Sequence, residues 1–125
     1  MSRRIIAVTF FIASIFLCIF ASYKVQNVCN IATEKIENII KVSETDLQDA
    51  QAQTEKIYEY WQQNSAILRL FVGTEKILNV KLSIYEMLFL LEQNNVEDFL
   101  EEAANCKRNL HHIAEFEKLT LNAVL

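Results

Sequence analysis

The sequence contains no proline and only one glycine, Gly73, among its 125 residues. Turns and sheets draw heavily on these two residue types, whereas long helices exclude them because they are the weakest helix formers. The two shortages therefore argue against a β-protein. They predict an all-α fold in which long helices are joined by short turns.

Charge is also missing from one part of the chain, since residues 5–23 hold no charged side chain. Nineteen residues at about 1.5 Å per residue span roughly 28 Å, close to the ~30 Å hydrocarbon core of a bilayer. Arg3 and Arg4 precede this run and Lys24 follows it. Because basic residues favour the cytoplasmic side, we expect a transmembrane helix in the cell membrane with its N-terminus in the cytoplasm.

A cleaved signal peptide is the alternative interpretation of this run. Signal peptides usually carry an apolar run of about 7–15 residues that ends at a small-x-small site. Cleavage after Ala21 or Ser22 would leave Ile19 or Phe20 three residues before the cut, and neither side chain is small. We therefore expect the anchor to stay attached to the chain.

The expected anchor divides the chain into two regions. Residues 1–23 form a cytoplasmic stub and the membrane span, and residues 24–125 lie outside the cytoplasm. All 16 acidic residues and ten of the 12 basic ones belong to the second region, which carries a net charge of −6. Such a surface is expected to repel nucleic acid and anionic lipid headgroups, so we expect no nucleic-acid partner.

Beyond the anchor, apolar residues recur three and four residues apart, which is the period of an amphipathic helix. No breaker precedes this pattern, so the first helix is expected to continue to Val42. Further helices are predicted over residues 46–71, 75–93 and 96–122. Because short turns make neighbouring helices antiparallel, the pattern predicts an up-down-up-down four-helix bundle. A three-helix bundle with the first helix splayed away is the alternative.

The predicted turns carry residues that start or stop helices. Thr45, with Gln48 three residues later, resembles a capping box. Thr74 and Asn95 are predicted to cap the third and fourth helices. Gly73 occupies the position where the end of a helix favours a left-handed residue.

Cys29 and Cys106 are the two cysteines outside the anchor. Counting residues from the nearest turn puts them at similar heights on the first and fourth helices, within roughly 3 Å at ~1.5 Å per residue. A disulfide between these helices is one interpretation, and it would contribute about 2–4 kcal/mol. Two buried free thiols are the other interpretation.

The third predicted helix is apolar on nearly all sides, and such a helix needs neighbours on more than one side. Surplus apolar surface on a small bundle commonly marks an interface. We therefore consider a docking face here, with burial inside the bundle as the alternative. The candidate residues are Trp61, Met87, Leu88, Phe89, Leu90 and Leu91.

Patterns that carry catalysis or metal binding are absent from the sequence. It has no glycine-flanked nucleophile, no phosphate-binding loop and no CxxC or Cys–His cluster. His111 and His112 are adjacent, so on a helix they point about 100° apart and cannot face one metal together. We therefore expect no enzyme activity, no cofactor, no metal and no small-molecule substrate.

Two segments resemble a known protein family. They are residues 61–70 (WQQNSAILRL), with Phe71 and Glu75 after them, and the tail from His112 to Asn122. Both are similar to an uncharacterised group of short, single-pass helical proteins from spore-forming Firmicutes. That group often has a His-Glu pair where this chain has Thr74 and then glutamate. The resemblance implies a similar architecture and a bacterial host, and it implies no activity.

These features predict a membrane-anchored, non-enzymatic interaction or structural module. Its expected partners are the membrane and either another protein or a second copy of the chain. An extracytoplasmic sensory bundle is the alternative function, because the outline resembles the ligand-binding half of bacterial transmembrane receptors. The sequence shows no second membrane segment and no signalling domain, so such a sensor would act through a partner.

Overall fold

Four α-helices make up the computed structural model, which describes residues 2–124 without the side chain of Val124. The helices are α1 (Ser2–Ser43), α2 (Leu47–Val72), α3 (Thr74–Glu92) and α4 (Val96–Val124). No strand occurs among residues 2–124. The predicted all-α class is therefore confirmed, and the predicted helix bounds agree with the structure to within a few residues.

The helices pack as a square bundle in which each contacts two neighbours. α1 packs against α2 and α4, and α3 packs against the same two helices. Because the connecting turns are short, each helix is antiparallel to the next one. α1 is a full member of the bundle, which confirms the four-helix architecture over the three-helix alternative.

α1 passes through two different environments without a break. Its first part, residues 2–20, contains no buried residue and exposes large apolar side chains such as Phe10 and Phe16. Burial of one helix face begins at Ala21 and continues to Ser43. The bundle therefore starts inside the segment that the sequence predicts to be the anchor.

The core of the bundle is one continuous cluster of apolar side chains that receives residues from all four helices. Its two largest members, Trp61 on α2 and Phe99 on α4, are completely buried. The indole Nε1 of Trp61 donates a hydrogen bond of 3.0 Å to the carbonyl oxygen of Ile77 on α3. This bond satisfies the buried N–H group and sets the height of α2 relative to α3.

Polar contacts on the bundle surface show which levels of the remaining helices lie side by side. The side-chain amide of Asn38 donates a hydrogen bond of 2.9 Å to Gln53, which aligns α1 with α2. The Nζ atom of Lys107 lies 3.5 Å from a carboxylate oxygen of Glu37, which aligns α4 with α1. Residues near 38, 53 and 107 are therefore at about the same level of the bundle.

The N-cap of α2 differs from the predicted one. The backbone N–H of Asp49 donates to Oδ1 of Asp46 at 3.1 Å, so Asp46 is the capping residue. The hydroxyl of Thr45 instead donates to the carbonyl of Val42 at 3.3 Å. The predicted capping box at Thr45 is wrong because the first helix continues through Ser43 and shifts the turn along the chain.

The turn between α2 and α3 consists of Gly73 alone, with φ 103° and ψ 149°. Positive φ strains residues with a Cβ atom, which explains the single glycine of the chain. Thr74 already lies inside α3 and no side chain caps this helix, so its predicted capping role is wrong. Asn95 caps α4 as predicted, because Asp98 N–H donates to its side-chain oxygen at 3.2 Å.

Candidate interaction surfaces

Cys29 and Cys106 are both buried free thiols in this structure. Burial raises the pKa of each thiol to about 12, because an apolar interior disfavours the charged thiolate. The structure agrees with the second interpretation of these cysteines, in which both are buried free thiols. The disulfide stays a prediction for a chemical test.

The structure buries some residues of the predicted docking face and leaves others exposed or half-buried. Trp61, Met87 and Leu91 are completely buried in the core. They cannot contact a partner, so this part of the prediction is corrected. Phe89 is 49% exposed, and the other two predicted residues are half-buried. The helical period explains the division, because it turns residues 87 and 91 towards the core and residue 89 towards solvent.

A different apolar surface runs along the outside of α3. It consists of Leu78, Leu82, Tyr85 and Phe89, whose exposed fractions are 46, 55, 59 and 49%. Successive spacings of four, three and four residues place the four side chains on one helix face, in the a and d positions of a coiled-coil seam. We call these four residues the α3 stripe. The opposite face of α3 carries the buried residues of that helix.

Charged residues flank the α3 stripe on both sides. With the stripe in a and d positions, Lys81 occupies a g position and Glu86 an e position. The Nζ atom of Lys81 lies beside the stripe, 6.0 Å from the centre of the Tyr58 ring. Tyr58 also packs against Tyr85 of the stripe, with ring centres 6.4 Å apart.

A cavity of about 330 Å³ opens where α1 enters the bundle. Three helices line it, through Leu17, Cys18, Ala21, Leu70, Phe71, Phe116, Glu117, Thr120 and Leu121. Glu117 is the one acidic residue of this lining, and its side chain is only 7% exposed. Burial raises the pKa of its carboxyl group above the usual 4.5.

The two ends of the bundle differ in charge. The proximal half, next to the exposed part of α1, comprises residues 21–32, 60–82 and 110–124. The distal half comprises residues 33–59 and 83–109. The proximal half has five basic and three acidic residues, a net charge of +2, whereas the distal half has five basic and thirteen acidic residues, a net charge of −8.

His111 and His112 both lie on the exposed surface of α4, with ring centres 6.5 Å apart. Within residues 2–124, no three or more His, Cys, Asp or Glu side chains come together as metal ligands could. The two histidines therefore lie outside the core and outside both apolar surfaces described above.

The α3 stripe, the burial of Glu117 and the difference in charge between the two halves were not predicted from the sequence. The sequence does indicate the α3 stripe, because the spacings of four, three and four residues can be recognised once the core-facing residues of α3 are assigned. The burial of Glu117 is also indicated, because the neighbouring Phe116 and Leu119 are large apolar residues near the end of a polar helix. The charge division required the alignment of antiparallel helix ends.

No curated protein and no solved structure matches this chain. A family match covers residues 19–124, which include the whole bundle and the two residues before burial begins at Ala21. It confirms that the chain resembles an uncharacterised family. The chain belongs to the DUF4363 family, a domain of unknown function.

Proposed function

We propose that this protein is a membrane-anchored, non-enzymatic interaction module whose α3 stripe pairs with a second copy of the chain. The α3 stripe is the observation that carries the proposal. Four large apolar side chains, each 46 to 59% exposed, lie in coiled-coil spacing on the face of α3 that points away from the core. Exposed apolar surface of this kind is typical of a site that another helix covers.

The anchor in this proposal is the exposed first part of α1. Among residues 2–124, α1 is the helix that is long and apolar enough to cross a membrane. A bilayer would cover side chains such as Phe10 and Phe16, and the helix would satisfy its own backbone hydrogen bonds there. Arg3 and Arg4 favour an N-terminus in the cytoplasm, which places the bundle outside it.

Anchoring determines how two copies approach each other. Two chains inserted with the same orientation present parallel α3 helices. In a parallel pair, a g residue faces the e residue five positions further along the other helix. Lys81 then faces Glu86 of the second copy, and the reverse contact forms on the other side of the seam. Two equivalent contacts are what a twofold symmetric interface requires.

The seam extends over residues 78–89, which is less than two heptads, so its intrinsic affinity is low. Confinement of both copies to one membrane raises their effective concentration and offsets this weakness. We therefore expect association in bilayers and dissociation in dilute detergent. An apolar helix of a different protein could occupy the same stripe, and the charge-reversal experiment separates that case.

The test reverses the flanking charges. Lys81→Glu and Glu86→Lys each place like charges across both sides of the seam, and the double variant restores opposite charges in exchanged positions. Energy transfer between labelled full-length copies in bilayers measures the association. We expect each single variant to weaken it by about 1–2 kcal/mol and the double variant to regain most of this loss.

Lys56→Glu is the matched control, since Lys56 is an exposed lysine on α2 away from the stripe. It should leave the association unchanged. A double variant as weak as the single ones would contradict self-pairing and favour a different helical partner. Wild-type copies that fail to associate in bilayers would contradict it as well.

The anchor and its orientation have separate tests. The full chain should remain in the membrane pellet after alkaline carbonate extraction. A reporter fused to the C-terminus that is active only in the cytoplasm should be silent. Release of the chain into the carbonate supernatant would disprove the anchor, and an active reporter would reverse the orientation.

A further inference from the structure

The proximal end of the bundle exposes apolar side chains around its cavity. Leu70, Phe116 and Leu119 are exposed by 79, 50 and 66%. The α1 wall of the cavity includes Leu17 and Cys18. Both belong to the proposed anchor, so the wall of the cavity continues into the surface that would face lipid.

The depth of this region follows from the geometry of α1. From Leu17 to Tyr23, the last residue of the predicted span, the helix rises about 9 Å at 1.5 Å per residue. Apolar faces of helices that lie in a membrane interface enter it by about 5–10 Å. Side chains that face Leu17 therefore reach the depth where acyl chains replace water.

The positive charge of the proximal end is complementary to anionic lipid. The proximal half has a net charge of +2, although the bundle as a whole is acidic. The Nζ atom of Lys76 lies 3.8 Å from the centre of the Phe116 ring, and Phe116 lines the cavity. Arg69 is exposed next to Leu70. Lysine and arginine side chains close to a membrane surface attract the phosphates of anionic lipids.

We propose that the proximal end of the bundle binds an anionic phospholipid of the surrounding leaflet. An acyl chain occupies the cavity beside α1, and the phosphate pairs with Lys76 and with Arg69 and Lys118, which are exposed at the same end of the bundle. This inference rests on the proposed anchor, because the anchor brings the cavity to the leaflet. The same contact holds the bundle upright and keeps the acidic distal half away from the headgroups, which repel it.

The experiment uses tryptophan reporters on the full chain in lipid vesicles. Leu70→Trp places an indole at the cavity, and Leu100→Trp places one at an exposed site on the distal half that belongs to neither apolar surface. Bromine atoms on the acyl chains of either phosphatidylglycerol or phosphatidylcholine quench tryptophan within contact distance. Trp61 is completely buried and is common to all samples, so it supplies a constant background.

We expect the Leu70→Trp reporter to be quenched, and at least about twofold more by brominated phosphatidylglycerol than by brominated phosphatidylcholine at the same mole fraction. The Leu100→Trp reporter should be quenched by neither lipid. The preference at Leu70→Trp should disappear when Arg69→Gln, Lys76→Gln and Lys118→Gln are combined with it. The triple variant Lys41→Gln, Lys56→Gln, Arg108→Gln removes the same charges from the distal half and should keep the preference.

Three results would overturn the inference. They are a Leu70→Trp reporter that no brominated lipid quenches, equal quenching by both lipids, and a preference that survives loss of the proximal basic residues. Carbonate extraction of the same vesicles reports on the anchor independently. A chain that stays anchored but shows no quenching refutes the lipid site alone, whereas a chain that is extracted refutes the anchor.

Discussion

The proximal and distal halves of the bundle share four helices and one core but differ on the surface. Inside, apolar packing continues from one half to the other without a change in character. Outside, the net charge changes from +2 to −8, and the most exposed apolar side chains of the bundle, such as Leu70 at 79% and Leu119 at 66%, belong to the proximal half. Helix packing therefore sets the shape of the molecule, while the surface of each half is free to suit a different environment.

The largest expected effect tests whether both halves depend equally on the shared core. Trp61→Ala in the proximal half and Phe99→Ala in the distal half each empty a completely buried site. Each should lower the free energy of unfolding by about 3–5 kcal/mol. Denaturant titration of the full chain in detergent, followed by circular dichroism, measures the loss.

Phe89→Ala is the control, because this phenylalanine is half exposed and should cost far less than either core substitution. All three variants should unfold in one transition. A Phe99→Ala variant that loses only part of its helix signal, with the remainder melting as in the wild type, would show that the halves are separate folding units.

The second prediction compares one buried cysteine from each half. The pKa of about 12 for Cys29 and Cys106 leaves roughly a thousandfold less thiolate than an ordinary thiol has near neutral pH. In the native chain at pH 8, a small uncharged maleimide should therefore modify neither of them, whereas both should react in denaturant. Mass spectrometry counts the labels.

The same measurement tests the disulfide between these residues. Denaturation without a reductant should release two reactive thiols besides Cys18. If denaturation exposes no further reactive thiols, and the mass of the chain is lower by two hydrogens, the disulfide is present. That result would contradict the free thiols of this structure.

The third prediction compares the turns at the two ends. Gly73→Ala at the proximal turn meets no atom within 4 Å, so its cost is the backbone strain at φ 103°, about 1–3 kcal/mol. Asp46→Ala at the distal turn removes a helix cap and should cost about 0.5–2 kcal/mol. Thermal unfolding of both variants ranks the effects. A neutral Gly73→Ala would show that this turn relaxes without strain.

The architecture could be predicted from the sequence because its signals are local. The absence of proline, the apolar period and the turn residues around Gly73 and Asn95 specify four helices and their order. The N-cap of α2 at Asp46 could not be predicted, since Thr45 and Asp46 are both capping residue types and the one-residue extension of α1 to Ser43 decides between them. The apolar face was only partly predictable, because the direction in which Met87 and Phe89 point is decided by contacts with other helices.

The charge division also depends on three-dimensional structure. Lys24, the pair Arg69 and Lys76, and Lys118 lie in three distant segments of the sequence, and the antiparallel arrangement brings these segments to the same level. A net charge of −6 for the whole region predicts repulsion from anionic lipid and describes neither half. The average hides the difference between the halves, because an antiparallel bundle places distant segments at one end.

The smallest expected effect concerns Glu117, the buried acid of the proximal half. Because burial raises the pKa of this carboxyl group, the folded chain binds the proton more tightly than the unfolded chain does. Its contribution to stability is therefore complete below pH 4.5 and is lost as the pH rises through the raised pKa. Glu117→Gln removes this titration and should make the chain slightly more stable at pH 7 than the wild type.

Thermal unfolding of the full chain between pH 4 and pH 8 measures the difference. The gain from Glu117→Gln should grow with pH over this range. Glu101→Gln removes the same charge from an exposed site on the distal half of α4 and controls for the change in net charge. A Glu117→Gln variant that is less stable than the wild type at pH 7 would mean that the carboxylate is held by a favourable partner. In that case the cavity would be a polar site, and its assignment to an acyl chain would have to be abandoned.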